Sequence, residues 1–224
     1  ISSTKMTYNI TLKYIVIGDV LAGKTSIVNK YTGGHFFSRP SPTIGVDFEM
    51  KTELLWHNDE RYDIINQIWD TSGDESYQGL VSNYYKNVDV VLMVFDLTCY
   101  KSFLNVKKHY LNITNYLNSN NPNKKVRLML VGNKKDKLAR EVLHSNARNY
   151  ARTINVPYHE VSSKEGDSVF NMFNSISVDI ICEIDVMTTE EKTKLSIIKR
   201  YNIPTRPLVK EKNNSCCLFG FLFK

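Results

Sequence analysis

The sequence predicts an α/β fold, a doubly wound mixed six-stranded sheet with helices on both faces. Three observations favour it. Apolar segments alternate with segments of helical periodicity along most of the chain. Two apolar segments, 88–95 and 126–131, are almost free of polar residues, as strands buried on both faces are. A glycine-containing loop, Gly18–Thr25, lies between the first apolar segment and the first helical one, which is the order of a strand–loop–helix unit.

Six segments have the apolar or alternating pattern of strands. They are Leu12–Ile17, Val46–Trp56, Tyr62–Trp69, Val88–Phe95, Val126–Val131 and Tyr158–Val161. The second and third are longer and more polar, and residues 58–60 between them are typical of a turn. We therefore expect these two strands to form a hairpin at one edge of the sheet.

Four segments have the periodicity of helices, with apolar residues three and four positions apart. They are Lys24–Tyr31, Ser102–Leu117, Arg140–Thr153 and Ser168–Ile184. In the last, one apolar stripe runs the whole length, which indicates a face buried against the sheet. Ligands of doubly wound sheets bind beyond the carboxyl ends of the strands, so a site is expected in the loops there.

The 224 residues are enough for one domain with tails. We expect residues 1–9 to be an N-terminal extension, 10–186 to form the domain and 187–224 to form a basic tail. The apolar runs are far shorter than the ~18 residues of a membrane-spanning helix. The four cysteines match neither a zinc site nor a disulfide framework, which favours the cytoplasm.

The net charge of +6 is concentrated in the tail, where eight basic residues from residue 192 onward face one acid, Glu211. Such a tail suits an anionic lipid surface, nucleic acid or plain solvent. Aromatic residues are not interleaved with this charge, so we do not expect nucleic acid to be a partner.

The loop that begins at Gly18 matches the phosphate-binding pattern of Gly, four residues and Gly-Lys-Ser/Thr. Glycine backbones turn successive N–H groups onto an anion, and the following helix N-terminus adds a positive dipole end. Lys24 is placed to neutralise the β and γ phosphates, and the Thr25 hydroxyl to bind Mg²⁺. The candidate contacts are Gly18, Asp19, Val20, Leu21, Ala22, Gly23, Lys24, Thr25 and Ser26.

Two further strands end in polar residues. Asp70 follows the strand that ends at Trp69, and an aspartate there can hold Mg²⁺, while the Gly73 backbone N–H can contact a γ-phosphate. Asn133, Lys134 and Asp136 follow the strand 126–131. A carboxylate at 136 can accept hydrogen bonds from guanine N1–H and N2–H₂, a donor pair that adenine lacks.

The Lys134 stem can lie on the base, and Ser162, Ser163 and Lys164 follow the last strand and can complete the pocket.

In this order the motifs resemble those of Ras-superfamily small GTPases, and the chain is most similar to the Rab family over roughly residues 10–185. The motifs are Gly18–Thr25, Thr43, Asp70–Gly73, Asn133–Asp136 and Ser162–Lys164. The Rab resemblance is carried by Ile44–Phe48, Trp69, Tyr84-Tyr85, Val94–Thr98 and Ser102-Phe103.

The resemblance implies a small G domain, an enzyme that hydrolyses GTP to GDP, with Mg²⁺ as cofactor. Mg²⁺ would be held by Thr25, Thr43 and Asp70. Phe36 would stack near the guanine, and the Ser163 backbone N–H would meet its oxygen. The residues of catalysis would be Lys24, Thr43, Gly73 and Asp74.

The resemblance also implies a monomeric switch in vesicle trafficking on the cytosolic face of an intracellular membrane. Effectors, an exchange factor and a GTPase-activating protein would bind the switch regions through Ile44–Phe48, Trp69 and residues 77–85. For Trp69, packing in the core is an equally good expectation, since large aromatic residues usually lie inside.

Two residues depart from the family pattern in a way that bears on hydrolysis. Asp74 stands where the family usually has the Gln that orients the attacking water, and Val20 stands where Gly or Ser is usual. We expect slow hydrolysis, with a nucleotide-binding scaffold that does not hydrolyse GTP as the alternative. Asp74 acting as a base, or a partner supplying the missing amide, also stays open. A kinase or ATPase sharing only the phosphate loop is disfavoured by Asn133–Asp136.

The tail is a third departure, because seven residues follow the pair Cys216-Cys217 where Rab proteins end at or near such a pair. A cysteine pair beside a basic segment suits lipidation, by prenyl or palmitoyl groups, and membrane attachment. An unmodified tail is the alternative.

Overall fold

The computed structural model describes residues 7–36, 41–120, 122–188 and 190–191. Its centre is a six-stranded sheet in the order β2-β3-β1-β4-β5-β6, in which only β2 runs antiparallel to its neighbour. The strands are β1 (Thr7–Gly18), β2 (Val46–His57), β3 (Glu60–Thr71), β4 (Val90–Asp96), β5 (Arg127–Asn133) and β6 (Tyr158–Glu160). The predicted mixed sheet of six strands is confirmed.

Five α-helices accompany the sheet in the described residues. They are α1 (Lys24–Thr32), α2 (Gln78–Ser82), α3 (Tyr100–Asn120), α4 (His144–Thr153) and α5 (Asp167–Asp185). Buried residues of α1 and α5 share one hydrophobic cluster, and those of α3 and α4 share a second one. Helices therefore cover both faces, as predicted. Within the ranges described, no helix has the length and apolar character needed to cross a membrane.

The β2–β3 hairpin lies at one edge of the sheet, as its polar pattern predicts. Asn58 and Asp59 in its turn have φ of +48° and +63°, a conformation that asparagine and aspartate tolerate better than most residues. Asp185 at the end of α5 reaches this turn and accepts a hydrogen bond from the Asn58 side chain. The last helix therefore ends near the amino end of β3, opposite the loops that follow the carboxyl ends of the parallel strands.

Two element boundaries differ by four residues or more from those predicted, and one helix was not predicted. β1 begins at Thr7 instead of Leu12 because its first residues pair with β3, and the buried Tyr8 ring stacks on Tyr62 at 5.3 Å. It thus includes residues 7–9, which the sequence placed in an extension. α4 begins at His144 instead of Arg140, whose guanidinium is held by Glu160. The short helix α2 lacks the length for a periodic signal and was not predicted.

Candidate functional site

The loops after β1 and β3, together with the segment before β2, enclose a cleft of about 290 Å³. It lies at the carboxyl edge of the parallel strands, where a doubly wound sheet binds its ligand. Its lining is Val20, Leu21, Gly23, Lys24, Thr25, Ser26, Ser41, Pro42, Thr43, Ile44, Ser72, Gly73, Asp74 and Tyr77. Three of the five predicted motifs therefore meet in one cavity.

Lys24 is the buried cation of this cleft. Its ammonium donates hydrogen bonds of 2.8 Å to the carbonyl oxygens of Gly18 and Asp19, and burial lowers its pKa to about 8. Among the described residues it makes no ion pair, although Asp70 and Asp19 lie near enough to oppose that shift. A buried charge without a direct counter-ion is unfavourable, so the loop is prepared for an anionic ligand.

Three oxygen-bearing side chains meet beside this lysine. The Thr25 hydroxyl lies 2.8 Å from the Thr43 hydroxyl and donates a 2.5 Å hydrogen bond to Asp70 Oδ2, and Thr43 lies 3.4 Å from the same oxygen. The other oxygen of Asp70, Oδ1, is buried and has no hydrogen-bond partner in the part of the chain described. Such a donor set fits Mg²⁺, which prefers oxygen ligands and carboxylates in particular.

Burial raises the pKa of Asp70 to about 6, against the opposing effect of the Thr25 hydrogen bond and the Lys24 charge. The carboxylate is therefore held in an environment that disfavours its own charge. A cation bound at this oxygen cluster would remove that penalty.

Asn133 joins three of the strand-end loops. Its side-chain nitrogen donates to the Ala22 carbonyl oxygen at 3.0 Å, and its side-chain oxygen accepts from the Ser163 backbone N–H at 3.2 Å. Gly23 is required beside it, since a Cβ on that residue would lie 2.1 Å from the Asn133 nitrogen. This predicted base-recognition residue thus binds the phosphate loop to the loop after β6.

Asp136 and Ser162, predicted to line the base pocket, are in direct contact. The Ser162 hydroxyl donates to Asp136 Oδ1 at 2.8 Å, which leaves Oδ2 of the half-buried carboxylate available to a ligand. The Lys134 ammonium is held by Asp96 Oδ2 at 2.6 Å, and its backbone φ of +67° turns the chain at this point. Lys164 is exposed, whereas Ser163 is buried.

Phe36 is not brought to the cleft. Its side chain is 41% exposed, and it is absent from the cleft lining. Its predicted stacking near a guanine stays a prediction.

The loop after β3 crosses directly over the phosphate loop at Gly73, where a Cβ would lie 2.2 Å from the Val20 nitrogen. Asp74, the next residue, is exposed at the cleft. Its Oδ1 accepts the Ser76 backbone N–H at 2.9 Å, and this hydrogen bond lowers the carboxyl pKa below its ordinary value. A negative charge and the Val20 side chain therefore both border the cleft.

Comparison with known proteins matches residues 13–182 to the Ras family. This chain belongs to the Ras family of small GTPases. Human Ras-related protein Rab-30 is 33% identical over 177 residues, which are 79% of this chain and 83% of that protein. Ras-related protein Rab-1D of Dictyostelium discoideum is 32% identical over 204 residues, 91% and 90% of the two chains. Ras-related protein Rab-10 of Diplobatis ommata is 34% identical over 178 residues, 79% and 84%.

The predicted membership of the Ras superfamily, with greatest similarity to Rab proteins, is thereby confirmed, and with it the assignment of this chain as a GTPase. Trp69, one of the residues that carries the Rab resemblance, is only 5% exposed and packs edge-on against Phe48 at 4.7 Å. Ile44, in contrast, is 82% exposed. Of the predicted partner surface, Ile44 is thus available for contact, whereas Trp69 is packed in the core.

The sequence did not predict the contacts by which α3 holds the phosphate loop of this GTPase. Asp19 accepts hydrogen bonds from Asn105 at 2.7 Å and lies 3.0 Å from His109 Nε2, both on α3. Burial raises the pKa of the Asp19 carboxyl, but these contacts outweigh it and hold the pKa below its ordinary value. Asp96, the partner of Lys134, could have been predicted, because it is the last residue of β4 just as Asn133 is the last residue of β5.

The raised pKa of Asp70 predicts how the metal-free and nucleotide-free GTPase responds to pH. The protonated carboxyl stabilises the fold fully below its unfolded value near 3.8, and that contribution is lost as pH rises through about 6. At pH 7, Asp70→Asn should therefore raise the free energy of unfolding by about 2 kcal/mol. Denaturant titrations between pH 4 and 7 measure the difference.

Asp179→Asn, at an exposed position of α5, is the control and should follow the unchanged chain. Parallel pH profiles for the Asp70→Asn variant and the unchanged chain would show that burial does not perturb this carboxyl.

Proposed function

We propose that this chain binds GTP and GDP with Mg²⁺ and acts as a Rab-like switch in intracellular vesicle trafficking. The observation that carries the proposal is the group of three oxygen-bearing side chains, Thr25, Thr43 and Asp70, beside the buried ammonium of Lys24. A cation and a polyphosphate placed together there would satisfy both the unpartnered carboxylate oxygen and the buried lysine.

In this proposal each loop contacts one part of the nucleotide. Lys24 and the backbone N–H groups of residues 18–26 hold the phosphates, and Thr25, Thr43 and Asp70 hold Mg²⁺, which when bound neutralises charge on the β and γ phosphates. Asp136 accepts the two guanine donors with the oxygen left available beside Ser162. Lys134 and Ser163 complete the base pocket.

The switch follows from two loops that approach the phosphate loop without being part of it. Thr43 reaches Thr25 through one hydroxyl contact, and Gly73 lies directly against Val20. A γ-phosphate would bind both loops, and its loss would release them, which is an order–disorder switch. Effectors, an exchange factor and a GTPase-activating protein would distinguish the states at this surface, to which Ile44 contributes an exposed apolar side chain.

Nucleotide preference tests the proposal. We expect the purified chain to retain a guanosine nucleotide and to bind GTP at least about 10³-fold more tightly than ATP, because a base without the two donors leaves Asp136 unpaired. Asp136→Ala should lower GTP affinity by at least about 100-fold and remove most of that preference. Titration of nucleotide-free protein with fluorescent GTP and ATP analogues measures both effects.

Asp179→Ala serves as the matched control and should leave both affinities unchanged. Equal binding of GTP and ATP by the unchanged chain would overturn the proposal.

We further propose that intrinsic hydrolysis is slow. The attacking water needs an oriented hydrogen-bond partner, which an amide in the Gln position supplies. Here that position carries an ionised carboxylate whose Oδ1 is already bound to the Ser76 N–H. Its charge also opposes the negative charge that develops on the transferring phosphoryl group, and Val20 narrows the space beside it.

Restoring the amide should accelerate the reaction. Asp74→Gln is expected to raise the single-turnover rate of GTP hydrolysis by about tenfold or more, since it removes the repelling charge and supplies a donor. Asp179→Gln, with the same change of side chain far from the cleft, should not alter the rate. An unchanged chain as fast as an ordinary small GTPase would contradict slow hydrolysis, and no turnover in either protein would favour the non-hydrolysing scaffold.

Membrane attachment through the tail is the last part of the proposal. Cys216 and Cys217 lie outside the described residues, and the case for them is the cysteine pair beside basic residues. Mass spectrometry of the chain isolated from its own cells should show a mass increase of acyl or prenyl size on at least one of them. Replacing both with Ser should move the chain from the membrane fraction to the soluble fraction; an unmodified pair would refute this route.

A further inference from the structure

A second cavity lies far from the nucleotide cleft, between α4 and the edge strand β6. It is a groove of about 310 Å³ lined by His144, Arg148, Ala151, Arg152, Val156 and Tyr158. Half of these residues are basic side chains spaced four positions apart on one face of α4, and none is acidic. Its floor is apolar, formed by Ala151, Val156 and the Tyr158 ring.

The two arginines of the groove are not used elsewhere in the described fold. Arg148 and Arg152 are exposed, and neither forms an ion pair or a side-chain hydrogen bond there. The nearest acid on the neighbouring strand, Glu160, is already held by both guanidinium nitrogens of Arg140, at 2.8 and 2.7 Å, and by the Tyr158 hydroxyl. The groove therefore keeps its positive charge.

The charge at the mouth of the groove is set by residues on two elements. On α4 it is His144, Arg148 and Arg152, and on β6 it is Glu160, which lies close enough to His144 for the two charges to interact. The His144 ring also packs near Tyr158, with ring centroids 5.5 Å apart. The two arginines remain as the groups that a ligand would meet.

The groove and the C-terminal end of α5 both lie at the amino ends of the parallel strands, opposite the nucleotide cleft. α4 runs back from the carboxyl end of β5, so its last turn and Val156 lie at the amino end of β6. α5 also ends at the amino ends of the strands, where Asp185 contacts the β2–β3 hairpin on the side of the sheet away from β6. The last turns of α4 and α5 therefore lie at the same end of the strands, away from the nucleotide cleft.

We propose that the groove between α4 and β6 binds the phosphorylated headgroup of a membrane lipid, with Arg148 and Arg152 holding its phosphate. Guanidinium groups bind phosphate oxygens in pairs and suit this task better than ammonium groups. The small apolar floor suits a ring-sized headgroup more than an extended acidic chain. The inference adds a ligand beyond the nucleotide, and only its lipid source rests on the proposed attachment of the tail.

The first experiment titrates the full chain, with its nucleotide bound, with a soluble inositol bisphosphate by calorimetry. We expect saturable binding that Arg148→Gln combined with Arg152→Gln weakens by about tenfold or more. The matched control is Lys86→Gln with Lys101→Gln, which removes two exposed charges outside the groove and should change affinity less than about twofold. Replacing both arginines with lysines should lower the affinity for the headgroup less than replacement with glutamine does, since the paired hydrogen-bond geometry is lost while the charge remains.

The second experiment compares the sources of the phosphate. Co-sedimentation with vesicles containing a phosphorylated phosphatidylinositol should exceed that with phosphatidylserine vesicles of equal charge, and the arginine-to-glutamine pair should remove the difference. Binding of the soluble headgroup without preference for the phosphorylated lipid would overturn the membrane source. An acidic peptide that binds the groove as tightly as the headgroup would overturn the assignment to lipid.

Absence of saturable headgroup binding, or equal losses in the two double variants, would overturn the site itself. GTP affinity measured on the same samples separates this inference from the proposed function. If the chain prefers GTP but does not bind the headgroup, only the groove proposal is overturned. If it binds the headgroup but does not prefer GTP, only the proposed switch function is overturned. Because both arginines are exposed, melting temperatures should agree within a few degrees and exclude unfolding.

Discussion

The amide of Asn133 is the contact on which the arrangement of the site depends. It donates to the phosphate loop through the Ala22 carbonyl and accepts from the loop after β6 through the Ser163 N–H. Three loops from separate strands are thus held at fixed distances by one buried side chain. The contact is possible only because Gly23 has no side chain at the point of closest approach. A base pocket and a phosphate pocket can then share one rigid support.

Around that support, the cleft contains two charged groups that the fold itself does not pair. Lys24 is buried without an ion pair among the residues described, and the Asp70 carboxylate is buried with one oxygen unpartnered. Their mutual attraction reduces the penalty but does not remove it, since both pKa values remain shifted toward the neutral forms. In the proposed function, a metal–polyphosphate ligand would satisfy both groups and would bind the loops at Thr43 and Gly73.

The sequence was informative where chemistry is local and less so where it depends on packing. Four of the six predicted strands, those that became β1, β3, β5 and β6, are each followed by a motif, and loops after parallel strands meet at one end of a sheet. The contacts from Asn105 and His109 to Asp19 join residues more than 80 positions apart, and only the packing of α3 brings them together. The early start of β1 depends on pairing with β3, and Arg140, in the segment before α4, binds Glu160 on β6. Neither pairing leaves a periodic signal.

The phosphate loop itself combines a strained backbone with an apolar surface. Leu21 has a φ of +63°, a conformation that costs a residue with a Cβ about 1–2 kcal/mol, and its side chain is 64% exposed at the lip of the cleft. Glycine would fit this backbone without strain, so local stability does not explain the leucine. Val20, Leu21 and Ile44 all line the same cleft, and each is exposed, so an apolar surface extends from the segment before β2 onto the loop after β1. In the proposed function, a partner that covers these side chains would contact the phosphate loop directly.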